Sequence, residues 1–484
     1  MKTLDEYSLF KKFIKFENEK QFFKVKYKSI PIWEYSRMLI YTTLQTICKG
    51  LTPSLPTLKQ SGRKQISQQI NNKLIKIDSL KKGDIILMGN PRRILQEDGK
   101  YYDINTDFIP EILNEYKCLT IEDPFWSLFP NLKISHSLPV ATKNILYLDE
   151  IEKIYFKKLY SSEFIEDREA IHNLLQVIIN ELNIEFSCRL DNAIEICVNK
   201  ILYFIYAEPI FIKILQKVQP KLIMLFFHPH HSEWFMTKVA KQLKIPVVEI
   251  QHGIIGEFEP IWHKFYNQDI KNINLPDYVF AFSPAFVNKD YMPLKKKIKY
   301  VGYPFLNKKI EEHRELALNK NAYNILIISQ ANLSDDLSNF TAKLSELLQP
   351  HEKYHIFYKL HPYELDKEFP NLNYSNVTIV RDLKKDIYYY QSICAIQIGV
   401  YSTAIYEGTM FNTSTIIVKD LLGWQESYRL LKHLPGIYVA KSPHQALDII
   451  LSNPQKTPTN NNLWGKFSTS KYKKYIKEII DANI

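Results

Sequence analysis

The chain has 484 residues, 45% of them apolar and 24% charged, with a formal net charge of +11. That length exceeds a single hydrophobic core and predicts about two to three domains, and the apolar content excludes a disordered chain. Five cysteines without metal or disulfide spacing predict a reducing compartment and no zinc site.

The positive charge suits a nucleic acid, an anionic membrane surface or a phosphorylated substrate, so its position matters more than its size. Lysines crowd the first thirty residues (Lys11, Lys12, Lys15, Lys20, Lys24, Lys26 and Lys28), interleaved with Phe10, Phe13, Phe16, Phe22 and Phe23. Such a mixture fits a segment lying on anionic lipid, with rings in the headgroup boundary and ammonium groups at the phosphates. It equally fits a first helix packed on its own domain. Residues 1–75 are expected to form this helical, basic segment, which runs through a Pro-, Ser-, Lys- and Gln-rich loop at 53–69. The N-terminus lacks a secretory apolar core and cleavage site. The most apolar later stretch, Ile194 to Leu215, is interrupted by Glu195, Lys200, Glu208 and Lys213, which argues against a membrane span. The expectation is a cytoplasmic protein, soluble or peripheral at the inner face of the plasma membrane.

From residue 76 onward, short β-branched or aromatic runs alternate with helix-like segments, the pattern of parallel sheets joined by helical crossovers. Expected strands in the first half are Ile85–Met88, Cys118–Ile121, Ile145–Leu148, Leu222–Phe227, Val247–Ile250, Tyr278–Phe282 and Lys299–Val301. In the second half they are Ile325–Ser329, His355–Leu360, Val377–Val380, Ala395–Gly399 and Thr415–Val418. The lysine-rich helical stretch after Tyr303-Pro304 marks a boundary, giving an acceptor domain at 76–305, a nucleotide domain at 306–455 and a last segment, 456–484, whose helix crosses back. Neither GxGxxG nor GxxxxGK[ST] occurs, which argues against a dehydrogenase and a P-loop NTPase. The lysines lie at the N-terminus and at Lys295-Lys-Lys297, not along an aromatic-studded sheet face, so nucleic acid is not the expected partner.

The candidate chemistry sits at strand ends, where open α/β sheets bind nucleotides and phosphates. Lys359-Leu-His-Pro362 places His361 at a strand's carboxyl end, with Pro362 fixing the exit and Lys359 able to add charge. His361 suits a hydrogen bond to a phosphate; the ordinary alternative is a histidine satisfied by a backbone carbonyl. Gly399-Val-Tyr-Ser-Thr403 is a strand-turn-helix element in which Tyr401, Ser402 and Thr403 lie at a helix N-terminus suited to an anion. Glu407 suits either a ribose or the helix dipole. Ser329 and Gln330 end the first strand of the second half and line the same pocket, while Asp335 and Asp336 read as helix caps and not as a metal site. In the first half, Gln251-His-Gly253 follows a buried strand. Its imidazole suits general-base work on an acceptor hydroxyl, Gly253 admits a ligand, and Glu257 or Glu259 is the fallback base. His228, His230 and Glu233, after another strand, lack metal-ligand spacing and read as part of the acceptor side. No metal and no cofactor is expected.

At these residues the chain resembles bacterial surface-polysaccharide glycosyltransferases of the GT-B type, particularly the capsule-synthesis and polysialyltransferase-like groups. The resemblance runs from about Leu222 to Val418 through “IPVVEIQHG”, “LPDYVFAFS”, “KYVGYP”, “IISQANLSDDL”, “YKLHP” and “GVYSTAIYEGTMF”. It implies a GT-B-like α/β fold, with two facing Rossmann-like domains after an N-terminal helical segment, and a nucleotide sugar, CMP- or UDP-linked, held mainly by the second domain. In the sialyltransferase-like branch the His-Pro histidine and a later Ser/Thr pair contact the donor phosphate, which falls here on His361, Ser402 and Thr403. The branch's acidic base is replaced by Gln251-His252-Gly253, so His252 becomes the proton acceptor and sialic acid is not the implied sugar. Residues 75–107 resemble the opening strand and loop of related transferases, where Arg92 and Arg93 fit an anionic acceptor or a solvated loop. The implied activity is metal-independent, inverting transfer of a sugar to a capsule, lipooligosaccharide or exopolysaccharide acceptor, free or lipid-linked. The alternatives are a polyol-phosphate transferase or UDP-sugar epimerase on the same fold, or a non-catalytic nucleotide-binding partner in polysaccharide assembly.

Overall fold

The computed structural model describes residues 6–48, 77–89, 94–95, 101–122, 145–147, 157–159, 161–226, 231–256, 263–266, 273–381, 385–459 and 462–483. The chain divides into two compact units, the first comprising Met1–Arg93, Asp103–Val301 and Ser468–Ile484, the second Ile94–Tyr102 and Gly302–Phe467. In chain order the strands begin with a ribbon, β1 (Lys26–Tyr27) and β2 (Ile30–Pro31), followed by β3 (Ile85–Met88) and a second ribbon, β4 (Ile94–Leu95) and β5 (Tyr101–Tyr102). There follow β6 (Cys118–Glu122), β7 (Ile145–Tyr147), β8 (Leu222–Phe226), β9 (Val247–Ile250), β10 (Tyr278–Ala281) and β11 (Ile298–Tyr300). The second unit contributes β12 (Asn321–Ile328), β13 (His355–Lys359), β14 (Val377–Val380), β15 (Cys394–Gly399), β16 (Ser414–Val418) and β17 (Ile437–Ala440).

In the first unit seven parallel strands take the order β11-β10-β9-β8-β3-β6-β7. Strands β3, β8 and β9 are buried at every position, as expected of parallel strands covered on both faces. The stretch marked by sequence as most apolar is the helix Ile194–Val218, apolar around most of its circumference because other elements enclose it. Its Lys200 is buried, and desolvation pulls the amine down to about 8. No helix among the described residues is long and apolar enough to cross a membrane.

The N-terminal phenylalanines favour the second of the two readings of that segment, a helix packed on its own domain. Phe10 and Phe13 have no exposure at all, and Phe16, Phe22 and Phe23 are also buried. Phe13 stacks on Trp33 and contacts Phe186, and Phe22 meets Trp33. Beside this aromatic cluster the fully buried Arg37 donates to both oxygens of Glu17 and to the carbonyl of Lys264. The rings therefore insert into the unit's own core and are not presented to lipid. At the other end of the chain, the helix Thr469–Asp481 places Tyr472 against Phe108 and Phe280, all in the first unit.

The second unit is a six-stranded parallel sheet ordered β14-β13-β12-β15-β16-β17. Its core joins Ile325, Ile327, Ile356, Tyr358, Ile396, Ile398 and Ile416 to Leu337, Leu344 and Leu348 of the helix Ser334–Leu348. Asp335 and Asp336 lie inside that helix's first turn and do not cap it. Asp335 instead accepts from the ammonium of Lys367 at 2.6 Å. The ribbon β4–β5 belongs to this unit, with Tyr102 stacked on Phe305 at 5.6 Å between ring centroids.

Candidate functional site

Numbered within its own sheet, the second unit has the strand order 3-2-1-4-5-6, the doubly wound arrangement in which ligands bind outside the carboxyl ends of strands 1 and 4. Here those ends are Ser329-Gln330 after β12 and Val400-Tyr401 after β15. Ser329 donates its hydroxyl proton to one oxygen of Glu364 at 2.9 Å and lies 3.0 Å from the Tyr358 phenol. Burial pushes that phenol up, which keeps it protonated. The other oxygen of Glu364 accepts the backbone N–H of His361 at 2.8 Å. The Nδ1 atom of His361 accepts from the Tyr363 N–H at 3.2 Å, and the two bonds close a capping box over the short turn Pro362–Glu364. An accepting Nδ1 in a neutral ring places the proton on Nε2, so His361 presents an N–H donor at the end of β13. Glu364 was not singled out by sequence reasoning, although its place three residues after the capping residue is the spacing of such a box.

The loops after β12 and β15 are joined by side chains. Gln330 accepts the backbone N–H of Tyr401 at 3.1 Å, and Asn332 donates to the Tyr401 hydroxyl at 2.5 Å. Ser402 caps the six-residue helix Thr403–Gly408, its oxygen accepting from Ala404 N–H at 3.4 Å. Glu407 is buried near that helix's end, where desolvation pushes its carboxyl up to about 7 against a hydrogen bond from Tyr388. Lys359 is 9% exposed and donates to the carbonyl of Lys385 at 3.4 Å.

In the first unit Gln251 follows β9, and its amide is fully used. Its nitrogen donates to the carbonyls of Gly253 and Phe286 at 2.7 and 3.0 Å, and its oxygen accepts the Phe282 N–H at 2.7 Å. Gln251 thus clamps the chain after β9 to the chain after β10, and it carries His252 on that clamp. His252 is half-buried, with its ring edge-on to Phe226 at 5.8 Å. Behind it, Glu249 on β9 pairs with His263 at 2.5 Å, both side chains 1% exposed. The first unit's switch point lies between β3 and β8, and Arg92, Arg93, His228 and His230 in its loops lie outside the described residues, as do Glu257 and Glu259. Glu233 is buried in the first turn of the helix His231–Gln242. Among the described residues no three His, Cys, Asp or Glu side chains gather as metal ligands would.

No protein-family model matches the chain, and no curated protein matches it. Among solved structures it is similar to the UDP-GlcNAc 2-epimerase of Methanocaldococcus jannaschii, at 13% identity and a TM-score of 0.44 over 82% of this chain and 98% of that one. It is also similar to S. aureus MnaA in a co-structure with UDP, at 10% identity and a TM-score of 0.47 over 83% and 97% of the two chains. The spinosyn rhamnosyltransferase SpnG stands at 10% identity and 0.41 over 83% and 96%. Likeness at this level says nothing of which residues act. The architecture is α/β and GT-B-like, two Rossmann-like parallel sheets with N-terminal helices.

Proposed function

We propose that the chain is a metal-independent, inverting glycosyltransferase that moves a sugar from a nucleotide donor to a bacterial surface glycan or its lipid carrier. The second unit takes the nucleotide. The Nε2–H of His361 donates a hydrogen bond to the leaving phosphate, and the hydroxyl of Ser402, whose oxygen already accepts from Ala404 N–H, donates a second beside Thr403, both groups keeping their protons. As the acceptor oxygen bonds to the anomeric carbon, the bond from that carbon to the phosphate breaks, the phosphate keeps the negative charge, and a base takes the acceptor proton, a role for which His252 is the candidate read from the sequence. Donors set in advance around developing charge supply electrostatic stabilisation without a cation, and an imidazole titrating near neutrality suits the proton transfer.

The observation that carries the reading is the placement of His361 at the end of β13, beside the switch-point strand β12, with its Nδ1 accepting the Tyr363 N–H at 3.2 Å. The test is product analysis after incubating the full chain with CMP- and UDP-linked sugars and a glycan acceptor, with and without a chelator. The expected result is released nucleotide and an extended glycan, unchanged by the chelator. A product that retains its nucleotide and carries an epimerised sugar overturns the reading.

A further inference from the structure

Tyr401 joins the segments following three neighbouring strands, β12, β15 and β16. Its backbone N–H is bound by Gln330 and its hydroxyl by Asn332, both after β12. Its ring lies on Gly423, in the segment after β16, where an added Cβ would come within 2.5 Å of the ring's Cδ1 and 2.7 Å of its Cγ. Gly423 also has φ +84°, a conformation that glycine adopts without steric cost. The seat is therefore open to the ring only because residue 423 has no side chain. Tyr401 also packs against the unit's core, yet it is only half-buried, so part of the residue reaches solvent.

We infer that Tyr401 is the stacking platform for the base of the nucleotide, an inference that rests on the nucleotide-sugar reading above. Stacking on a mobile surface tyrosine is opposed by the freezing of its rotamers, whereas a ring held at the backbone, the hydroxyl and one side loses little further freedom. The position also fits the chemistry: Tyr401 directly precedes Ser402, so its ring belongs to the same segment after β15 as the proposed phosphate donor. Every nucleobase has a flat π-face and stacks on such a platform. Tyr401 thus adds affinity for the nucleoside part and leaves the choice of base to other groups. A ring needed for packing alone would serve equally well without nucleotide, and this is the competing outcome.

The experiment titrates the full-length protein with UDP, CMP, GDP and inorganic pyrophosphate by calorimetry, in the wild type and in Tyr401→Ala and Tyr401→Phe. The best-bound nucleotide is expected to weaken by about tenfold or more in Tyr401→Ala and by less than about threefold in Tyr401→Phe, because stacking needs the ring and not the hydroxyl. Pyrophosphate affinity should stay unchanged in both. Should Tyr401→Ala fail to fold, as judged by its melting temperature, Gly423→Ala is read in its place, since its methyl group drives the ring from its seat and should give the same base-selective loss. Nucleotide binding in the alanine variant at the wild-type level, or equal weakening of nucleotide and pyrophosphate, overturns the inference. A wild type that binds no nucleotide removes the nucleotide-sugar reading itself, a failure visible before any variant is compared.

Discussion

The two sheets follow the same winding order, yet their strand ends are held differently. In the second unit the loops after β12, β13 and β15 are cross-linked by side chains: Ser329 to Glu364, Glu364 to His361, and Gln330 and Asn332 to Tyr401. In the first unit the segments after β9 and β10 are joined by one side chain, the amide of Gln251, and by backbone pairing of Ile255 with Phe286 and Asn288, and His252 stands beside that amide. Donors that must hold an anion gain from being set in advance. A proton acceptor instead meets a hydroxyl whose position is fixed by another molecule. On the proposed function, side chains set the anion donors of the second unit, whereas backbone pairing and one amide hold the loop that carries His252.

The contrast breaks most sharply at Glu364. Glu364→Ala leaves the Ser329 hydroxyl and the His361 N–H without their acceptor, with an expected loss of about 3 kcal/mol of stability in urea denaturation. Nucleotide affinity should fall with it, by about tenfold. Unchanged affinity would show that the network does not set His361. Gln251→Leu is the matching change in the first unit. It removes the three hydrogen bonds of that amide, although the Phe286 carbonyl keeps the Ile255 N–H, and should cost about 2 kcal/mol, lowering transfer while calorimetry finds nucleotide affinity as in the wild type.

A smaller effect concerns pH. Burial raises the Glu407 carboxyl from 4.5 to about 7, so the folded state holds a proton that the unfolded chain releases. Its contribution is complete below about pH 4.5 and is lost as pH rises through about 7. Urea midpoints are expected to fall across that window, and Glu407→Gln should flatten the fall by about 1 to 2 kcal/mol. Glu34 of the first unit, likewise raised to about 7 by burial, has the same sign and accounts for slope that persists in the variant. An unaltered slope would mean that Glu407 is already ionised in the folded protein at low pH.

Much of the sheet architecture was legible because buried parallel strands are short apolar runs with sharp ends. Ile85–Met88, Val247–Ile250 and Val377–Val380 emerge with the bounds read from sequence. The ribbons β1–β2 and β4–β5 were not, since two-residue strands have no period to detect. Strand β17, at the sheet's edge, was missed as well. Composition placed aromatic rings among lysines at the N-terminus but not what those rings touch: Phe186 lies far along the chain from Phe13, and a lipid surface would select the same residues. The place of His361 at a strand's end was readable, and so was the spacing to Glu364. The bonds that consume Gln251 and seat Tyr401 depend on Phe282, Phe286 and Gly423, which only folding brings near.

The division of labour between the units is tested most directly by measuring nucleotide affinity and sugar transfer together in His252→Ala and His361→Ala. His252→Ala should bind nucleotide as the wild type does and lose transfer by about a hundredfold or more. His361→Ala should lose nucleotide affinity by about tenfold. Transfer that survives in His252→Ala, or nucleotide affinity that survives in His361→Ala, contradicts the account.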